Sequence, residues 1–267
     1  MRFYAPLPGM LYLSTVNSLV LYPLFFLIQH QHMKNISTVF IDLDDTVWWF
    51  TENSKLSLRH VFDHFGMAEF CPEYDTFKAI YLAKNKELWE LYHYGKITKD
   101  FLTTERFRFT LEKAGYTGDC LAMGATVDKE YLHFLSLQSK LVPGARELLE
   151  YLNAEGYSVN ILSNGFKQVQ AQKLTSAGVI HLFNRIILSD DCGITKPLPG
   201  IFEYALKECN ASAETSVMIG DNYEADVCGA HSAGWRTIFF NKDNSPAENC
   251  PNADFIVASL SEIQQIL

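Results

Sequence analysis

No C-x-x-C pair occurs in the chain, and its six cysteines (Cys71, Cys120, Cys192, Cys209, Cys228 and Cys250) are spaced for neither a zinc site nor a dense disulfide framework. Thiols scattered in this way fit a reducing cytoplasm, which is the expected location. Positive charge is also scarce, with 22 Lys and Arg against 31 Asp and Glu and a net charge of -9. An acidic protein repels phosphate backbones and anionic lipid heads, which disfavours nucleic acid and membrane surfaces as partners. A small phosphorylated molecule stays admissible, provided a cation neutralises its site. Low-complexity stretches and internal repeats are missing too, and a hydrophobic share of 48% excludes disorder. At 267 residues the chain is long enough for one large α/β domain, or a core domain with a smaller one inserted.

One segment is uncharged and mostly apolar, from Met10 to Gln31, and its length approaches a membrane span of about 20 residues. Ser14, Thr15, Asn17, Ser18 and Pro23 weaken it as a span, and no small-x-small cleavage site follows. Three readings of residues 1–32 stand side by side: an extension upstream of a second start at Met33, a membrane anchor, which is less favoured, and an ordered arm packed on the domain. All the candidate chemistry lies after Met33.

Thr38–Ile41 is a short β-branched and aromatic run that ends abruptly in acids and reads as a buried strand. From about Leu56 to Ser139 the pattern becomes helical, with four amphipathic stretches, several closed by glycine. Alternating units follow. A helix after Pro143-Gly144 leads to strand SVNILSN, and further helices lead to RIILSD, SVMIGD and TIFFN, then DFIV and a C-terminal helix. Strands alternating with helices of this length imply a parallel sheet with right-handed crossovers. The expected fold is therefore α/β, with residues 33–50 and 141–267 as the core and 51–140 as a helical insertion.

Ligands bind at the carboxyl ends of strands in such sheets. The residues that follow the strands are Asp42-Leu43-Asp44-Asp45-Thr46, Ser163-Asn164-Gly165, Lys196-Pro197, and Gly220-Asp221-Asn222 with Asp226 beyond. Each alone is ordinary turn, cap or surface chemistry. Together they bring four acids, a hydroxyl and a lysine to one edge. Close carboxylates repel by roughly 4 kcal/mol per pair at an effective dielectric near 20, so the arrangement calls for a cation. Magnesium fits, as a hard ion satisfied by one or two carboxylates, a carbonyl, waters and a substrate phosphate.

In their order, D-x-D-x-T, S-N, K-P and G-D-x-x-x-x-D resemble the motifs of the haloacid dehalogenase-like superfamily of phosphatases, over about Ser37 to Leu267. The resemblance implies a Rossmann-like parallel sheet with helices on both faces and an inserted four-helix cap of the C1 type. It implies Asp42 as the nucleophile that forms an aspartyl-phosphate, and Asp44 as the acid that protonates the leaving oxygen and later deprotonates water. Mg²⁺ would be held by Asp42, Asp44 through its carbonyl, and Asp221, with Ser163, Asn164 and Lys196 on the phosphoryl oxygens. Asp226 would orient Lys196 or a metal-bound water, and Thr46 would brace the first loop. Members that cleave carbon–halogen bonds lack an acid two positions after the nucleophile, so Asp44 favours phosphoryl transfer. Asp45 has no implied role and reads as a turn residue.

The stretch from Ser163 to Leu206 is similar to a bacterial subfamily of pyrimidine 5′-nucleotidases, with Asn164-Gly165-Phe166 and the following helix carrying most of the similarity. That implies a nucleoside monophosphate as substrate. A sugar-phosphate phosphatase or phosphomutase on the same site, and a catalytically silent binding protein, are the alternatives. A silent protein would usually have lost one of Asp42, Asp44, Lys196 or Asp221, and all are present. The aromatics of 51–140, Trp89 among them, are expected to be mostly bundle core. Spacing does not choose which of Trp48, Trp49, Tyr92, His93, Arg106 or Arg108 lines a pocket, and it is silent on oligomeric state.

Overall fold

A computed structural model describes Met33 and residues 35–267, so the three readings of 1–32 lie outside the described residues. Six parallel strands form the sheet: β1 (Thr38–Ile41), β2 (Ser158–Ser163), β3 (Arg185–Leu188), β4 (Ser216–Gly220), β5 (Arg236–Phe240) and β6 (Phe255–Val257). Their order is β3-β2-β1-β4-β5-β6, which places β1 at the centre with β2 and β4 beside it. Every residue of β1 is buried, as a strand covered on both faces requires.

Strand alternation divides the interior. Val39 and Ile41, with Val159, Ile161, Val217 and Ile219, join the larger core. Phe40, Leu162 and Met218 point the other way, against Ile201, Phe202 and Trp235. Helices cover both faces: α5 (Ala145–Ala154) and α6 (Lys167–Ser176) contribute to the larger core, and α7 (Pro199–Cys209) to the opposite one. Among the described residues no helix is long and apolar enough to cross a membrane.

Between β1 and α5 the chain forms α1 (Phe50–His64), α2 (Tyr74–His93), α3 (Lys99–Ala114) and α4 (Cys120–Ser136). Thr98 caps α3 by accepting from the Phe101 amide, Gly115 ends it at φ +97°, and Asp119 caps α4 through the Leu121 and Ala122 amides. The chain enters and leaves this block side by side. Trp48 and Leu141 form an antiparallel bridge, Trp49 N donates to Lys140 O at 3.0 Å, and Val142 N to Val47 O at 3.0 Å. Asn53 clamps the junction, its Nδ2 donating to Lys140 O at 2.9 Å.

Local departures from the sequence reading have identifiable causes. α1 starts at Phe50 rather than near Leu56, because the Asp45 carboxylate accepts from both Thr51 N (2.8 Å) and Thr51 Oγ1 (2.7 Å) and so holds its first turn. The helix expected between SVMIGD and TIFFN is a π-helical turn, Tyr223–Cys228, followed by an α-helical turn, Gly229–Ser232. It starts where Asp226 is drawn back: Asp226 Oδ2 accepts from Asn222 N and Oδ1 from Lys196. The C-terminal helix is 3₁₀, Leu260–Gln265, opened by a Ser259/Glu262 capping box.

Candidate active site

The strand order reverses at β1, and the crevice at such a switch point opens beyond the carboxyl ends of the strands on either side. Here those strands are β1 and β4. Asp42 follows β1 and its amide donates to Ile219 O of β4 at 2.9 Å, while Asp221 follows β4. A cavity of about 210 Å³ lies at this edge, and its floor includes Asp42, Asp44, Ser163, Asn164, Lys196 and Asp221. All the candidate site residues of the sequence reading converge at or beside it.

Lys196 is the hub. Its Nζ donates to Asp42 Oδ1, Asp226 Oδ1 and Leu162 O, each at 2.6 Å, and the residue is 1% exposed. Burial works against its charge, but Asp226 and Asp42 outweigh it and hold the ammonium above its ordinary range. Asn164 fixes the backbone of this lysine from both sides: Oδ1 accepts from Lys196 N at 2.8 Å, and Nδ2 donates to Lys196 O at 2.9 Å. Its carboxamide is therefore committed to positioning Lys196. What Asn164 has left for a ligand oxygen is its main-chain N–H and the second hydrogen of Nδ2.

Two acids against one lysine leave the site short of positive charge. Burial pushes the Asp42 carboxyl up to about 7, with Lys196 opposing and Asp226 adding to the rise. Asp221 is raised to about 6 by burial and by Asp42, and Asp226 is raised by burial against the pull of Lys196. One ligand oxygen from each of Asp42, Asp221 and Asp226 falls within 4.8 Å of the others. A hard divalent cation suits such a set, and the raised pKa values register the same need. The lysine Lys242, just after β5, meets part of it, with Nζ 2.8 Å from Asp221 Oδ2 and 3.2 Å from Asp45 Oδ2. Thr46 Oγ1 donates to Asp221 Oδ1 and accepts from Asp221 N, both at 3.0 Å, tying the β1 loop to the β4 loop.

Asp44 is held by α6. Lys173 Nζ lies 2.7 Å from its Oδ1, and Gln170 Nε2 lies 2.9 Å from its Oδ2. Gln170 Nε2 also donates to Ser163 Oγ at 3.0 Å, and the Gly165 amide donates to the same oxygen at 3.0 Å. Since Ser163 Oγ accepts twice, its own O–H is the donor that remains for a ligand. Asp45 stands at φ +64°, a left-handed position that suits a turn acid.

Sequence reasoning missed Gln170, Lys173 and Lys242. Gln170 and Lys173 sit one turn apart on α6 and are buried, at positions where an amphipathic helix normally puts apolar side chains, and only that burial, which the sequence does not show, marks them. Of the aromatic and basic candidates, His93 reaches the cavity, joined by Trp89, Asn85 and Phe50. Trp48 is buried core, and Trp49 packs against that core. Arg106 is buried against Asp128 at 2.5 Å, Arg108 pairs with Glu105 and Glu112, and Tyr92 packs with Trp89 and Phe166.

The haloacid dehalogenase-like hydrolase family matches residues 36–234. The HAD-hydrolase YfnB of Bacillus subtilis is 32% identical over 238 residues, covering 88% of this chain and 97% of that protein. Its crystal structure, described as bound to magnesium and revealing interdomain movement, superposes with a TM-score of 0.77 over 88% of this chain and 99% of that one. Pyrimidine 5′-nucleotidase YjjG of Escherichia coli is 27% identical, covering 86% and 96%, and a glyceraldehyde 3-phosphate phosphatase of Pyrococcus furiosus is also 27% identical, covering 88% and 94%. An L-2-haloacid dehalogenase of Xanthobacter autotrophicus shares the fold alone, at 17% identity and a TM-score of 0.65. With its sheet order, its four motifs at one edge and these matches along most of its length, the chain belongs to the haloacid dehalogenase-like hydrolase family.

Proposed function

We propose that the protein is a magnesium-dependent phosphomonoester hydrolase that works through an aspartyl-phosphate on Asp42, with a nucleoside 5′-monophosphate, a pyrimidine one, as substrate. The observation that carries the chemistry is Lys196 held 2.6 Å from both Asp42 and Asp226 at the floor of a cavity whose wall also carries Asp44. Asp42 attacks phosphorus, and the P–O bond to the leaving group breaks. Asp44 gives its proton to the departing oxygen, then takes one from the water that cleaves the aspartyl-phosphate, which restores both carboxyl groups. Lys196, the Ser163 hydroxyl and the Asn164 main-chain N–H hold the phosphoryl oxygens. Asp226 orients Lys196, and Thr46 aligns Asp221. Asp42, Asp221 and the Asp44 carbonyl hold the magnesium, which when bound offsets the repulsion between carboxylate and phosphate. YfnB supports this part of the reading, since its structure contains magnesium.

Residues 51–140 act as the cap that covers the substrate and excludes water. The nucleotide is supported by the kinship with YjjG and with the pyrimidine 5′-nucleotidase PynA of Streptococcus pneumoniae. A small sugar phosphate is the second reading, favoured by a cavity of about 210 Å³, below the roughly 300–1,000 Å³ usual for ligand pockets. Phosphate release from nucleoside monophosphates and sugar phosphates, with magnesium or with chelator, tests both. Activity is expected to need the metal, to vanish in Asp42→Asn and to be greatest on a pyrimidine nucleotide. Activity that survives in Asp42→Asn overturns the nucleophile, and a best substrate among the sugar phosphates transfers the reading to the second class.

A further inference from the structure

The wall that faces the catalytic carboxylates comes from one helix. Asn85, Trp89 and His93 stand four residues apart on α2, so successive turns bring them to the same face, and all three line the cavity. We propose that this stripe is a leaving-group subsite that accepts a planar, uncharged group by stacking and hydrogen bonding and rejects a second anion. The inference rests on the phosphatase reading and adds to it which residues read the substrate and what they refuse.

Each member of the stripe has a determined presentation. Trp89 stacks on Phe166, with ring centroids 5.2 Å apart and planes 21° apart, and is only partly buried, so its remaining surface meets the cavity as a rigid aromatic wall. Asn85 is oriented from behind. Arg106, anchored by Asp128 at 2.5 Å, directs Nη1 at Asn85 Oδ1 at 3.5 Å. A guanidinium has only donors, so Asn85 turns its oxygen to Arg106 and keeps its Nδ2 donors for the cavity. They suit a carbonyl or hydroxyl oxygen. His93 is pushed down to about 4 by burial and by Lys196, so it is neutral at pH 7 and takes part as an uncharged ring. Thr195 Oγ1 donates to His93 O at 2.8 Å, which sets this end of α2 against the Lys196 loop.

Charge excludes as much as shape selects. The cavity lining carries the carboxylates Asp42, Asp44, Asp45, Asp221 and Asp226; its one cationic residue, Lys196, is shared by Asp42 and Asp226, and the lysines behind the lining are taken up as well, Lys173 by Asp44 and Lys242 by Asp221 and Asp45. A carboxylate or second phosphate on the leaving group finds acids and no free cation among the described lining residues. A base stacked on Trp89 finds a wall and donors.

The test uses the full chain in magnesium buffer with uridine 5′-monophosphate, acetyl phosphate and 2-phosphoglycolate as probes. Trp89→Ala is expected to lower the ratio of kcat/KM on the nucleotide to that on acetyl phosphate roughly tenfold or more, mainly through KM, and Trp89→Phe to restore most of it. The wild type is expected to handle 2-phosphoglycolate on the order of a hundredfold more slowly than the nucleotide. Uridine itself is expected to inhibit acetyl phosphate hydrolysis competitively, a readout that needs no variant to fold. An unaltered ratio in a folded Trp89→Ala, a preference for 2-phosphoglycolate, or no competition by uridine overturns the subsite while leaving the phosphatase standing. Hydrolysis of none of the three probes overturns the phosphatase reading and the subsite with it.

Discussion

Asp42 and Asp221 carry raised pKa values, about 7 and about 6, because both are buried and near other acids. The linkage has a definite sign. Groups that bind protons more tightly folded than unfolded stabilise the fold fully below their unfolded pKa, and that contribution is lost as pH rises through the folded value. Metal-free protein is therefore expected to lose stability between about pH 4 and pH 7 from these two groups, and magnesium at pH 7 to return it. Melting curves across that range, with chelator and with Mg²⁺, check the direction. Asp42→Asn leaves Lys196 and Asp226 as a neutral pair, so the metal-free variant should be more stable than wild type at pH 8, by about 1 kcal/mol, although inactive. A melting temperature that falls instead would mean that the Asp42–Lys196 contact outweighs the crowding of acids. Lys173 gives a complementary case. Paired with Asp44 at 2.7 Å and itself buried, it keeps the acid in register with the cavity. Lys173→Met is expected to lower kcat about a hundredfold with little change in KM, measured by steady-state kinetics.

At the scale of elements, two glycines let strand ends and neighbouring side chains meet. A Cβ on Gly220, at the end of β4, would lie 2.2 Å from Asp226 Oδ2, and one on Gly165 would lie 1.5 Å from Gln170 Nε2. Gly220→Ala must push Asp226 away from Lys196, so a stability loss of about 1–3 kcal/mol is expected in urea unfolding, together with lost phosphate release. Gly165→Ala displaces the Gln170 bridge to Asp44 and should reduce kcat too. These elements also separate what was readable from what was not. Asp42, Asp44, Ser163, Lys196 and Asp221 were legible because each lies at or beyond the carboxyl end of a strand, and strands that alternate with helices run parallel and so share that edge. Gln170 and Lys173 reach Asp44 from 126 and 129 residues away, and their helix alone gives no reason to expect that contact. The turn at Tyr223–Cys228 reads as plain α-helix in the sequence, since the Lys196 contact of Asp226 that accompanies its π winding is tertiary. Asn85, Trp89 and His93 were hidden among bundle aromatics, because the sequence does not tell which face of α2 turns toward the sheet.

For the whole molecule, the antiparallel bridge between Trp48 and Leu141 is where the helical block joins the sheet. Asn53, fully buried, secures that seam through Lys140 on both its oxygen and its amide. Asn53→Ala leaves Lys140 polar groups underbonded, so a loss of about 1–3 kcal/mol is expected, with faster protease cleavage between residues 137 and 142. Equal cleavage rates would show that the other bonds of the seam hold it alone. The same seam has a consequence of another kind. Because the chain departs and returns at neighbouring points, the helical block interrupts the path of the chain without altering the order of the six strands, yet Leu58, Val61, Phe77 and Phe107 of the block share one core with Val39 and Ile41 of β1. A change inside the block is thus felt by the sheet through shared packing and not through the route of the chain, as a lintel bears on its posts.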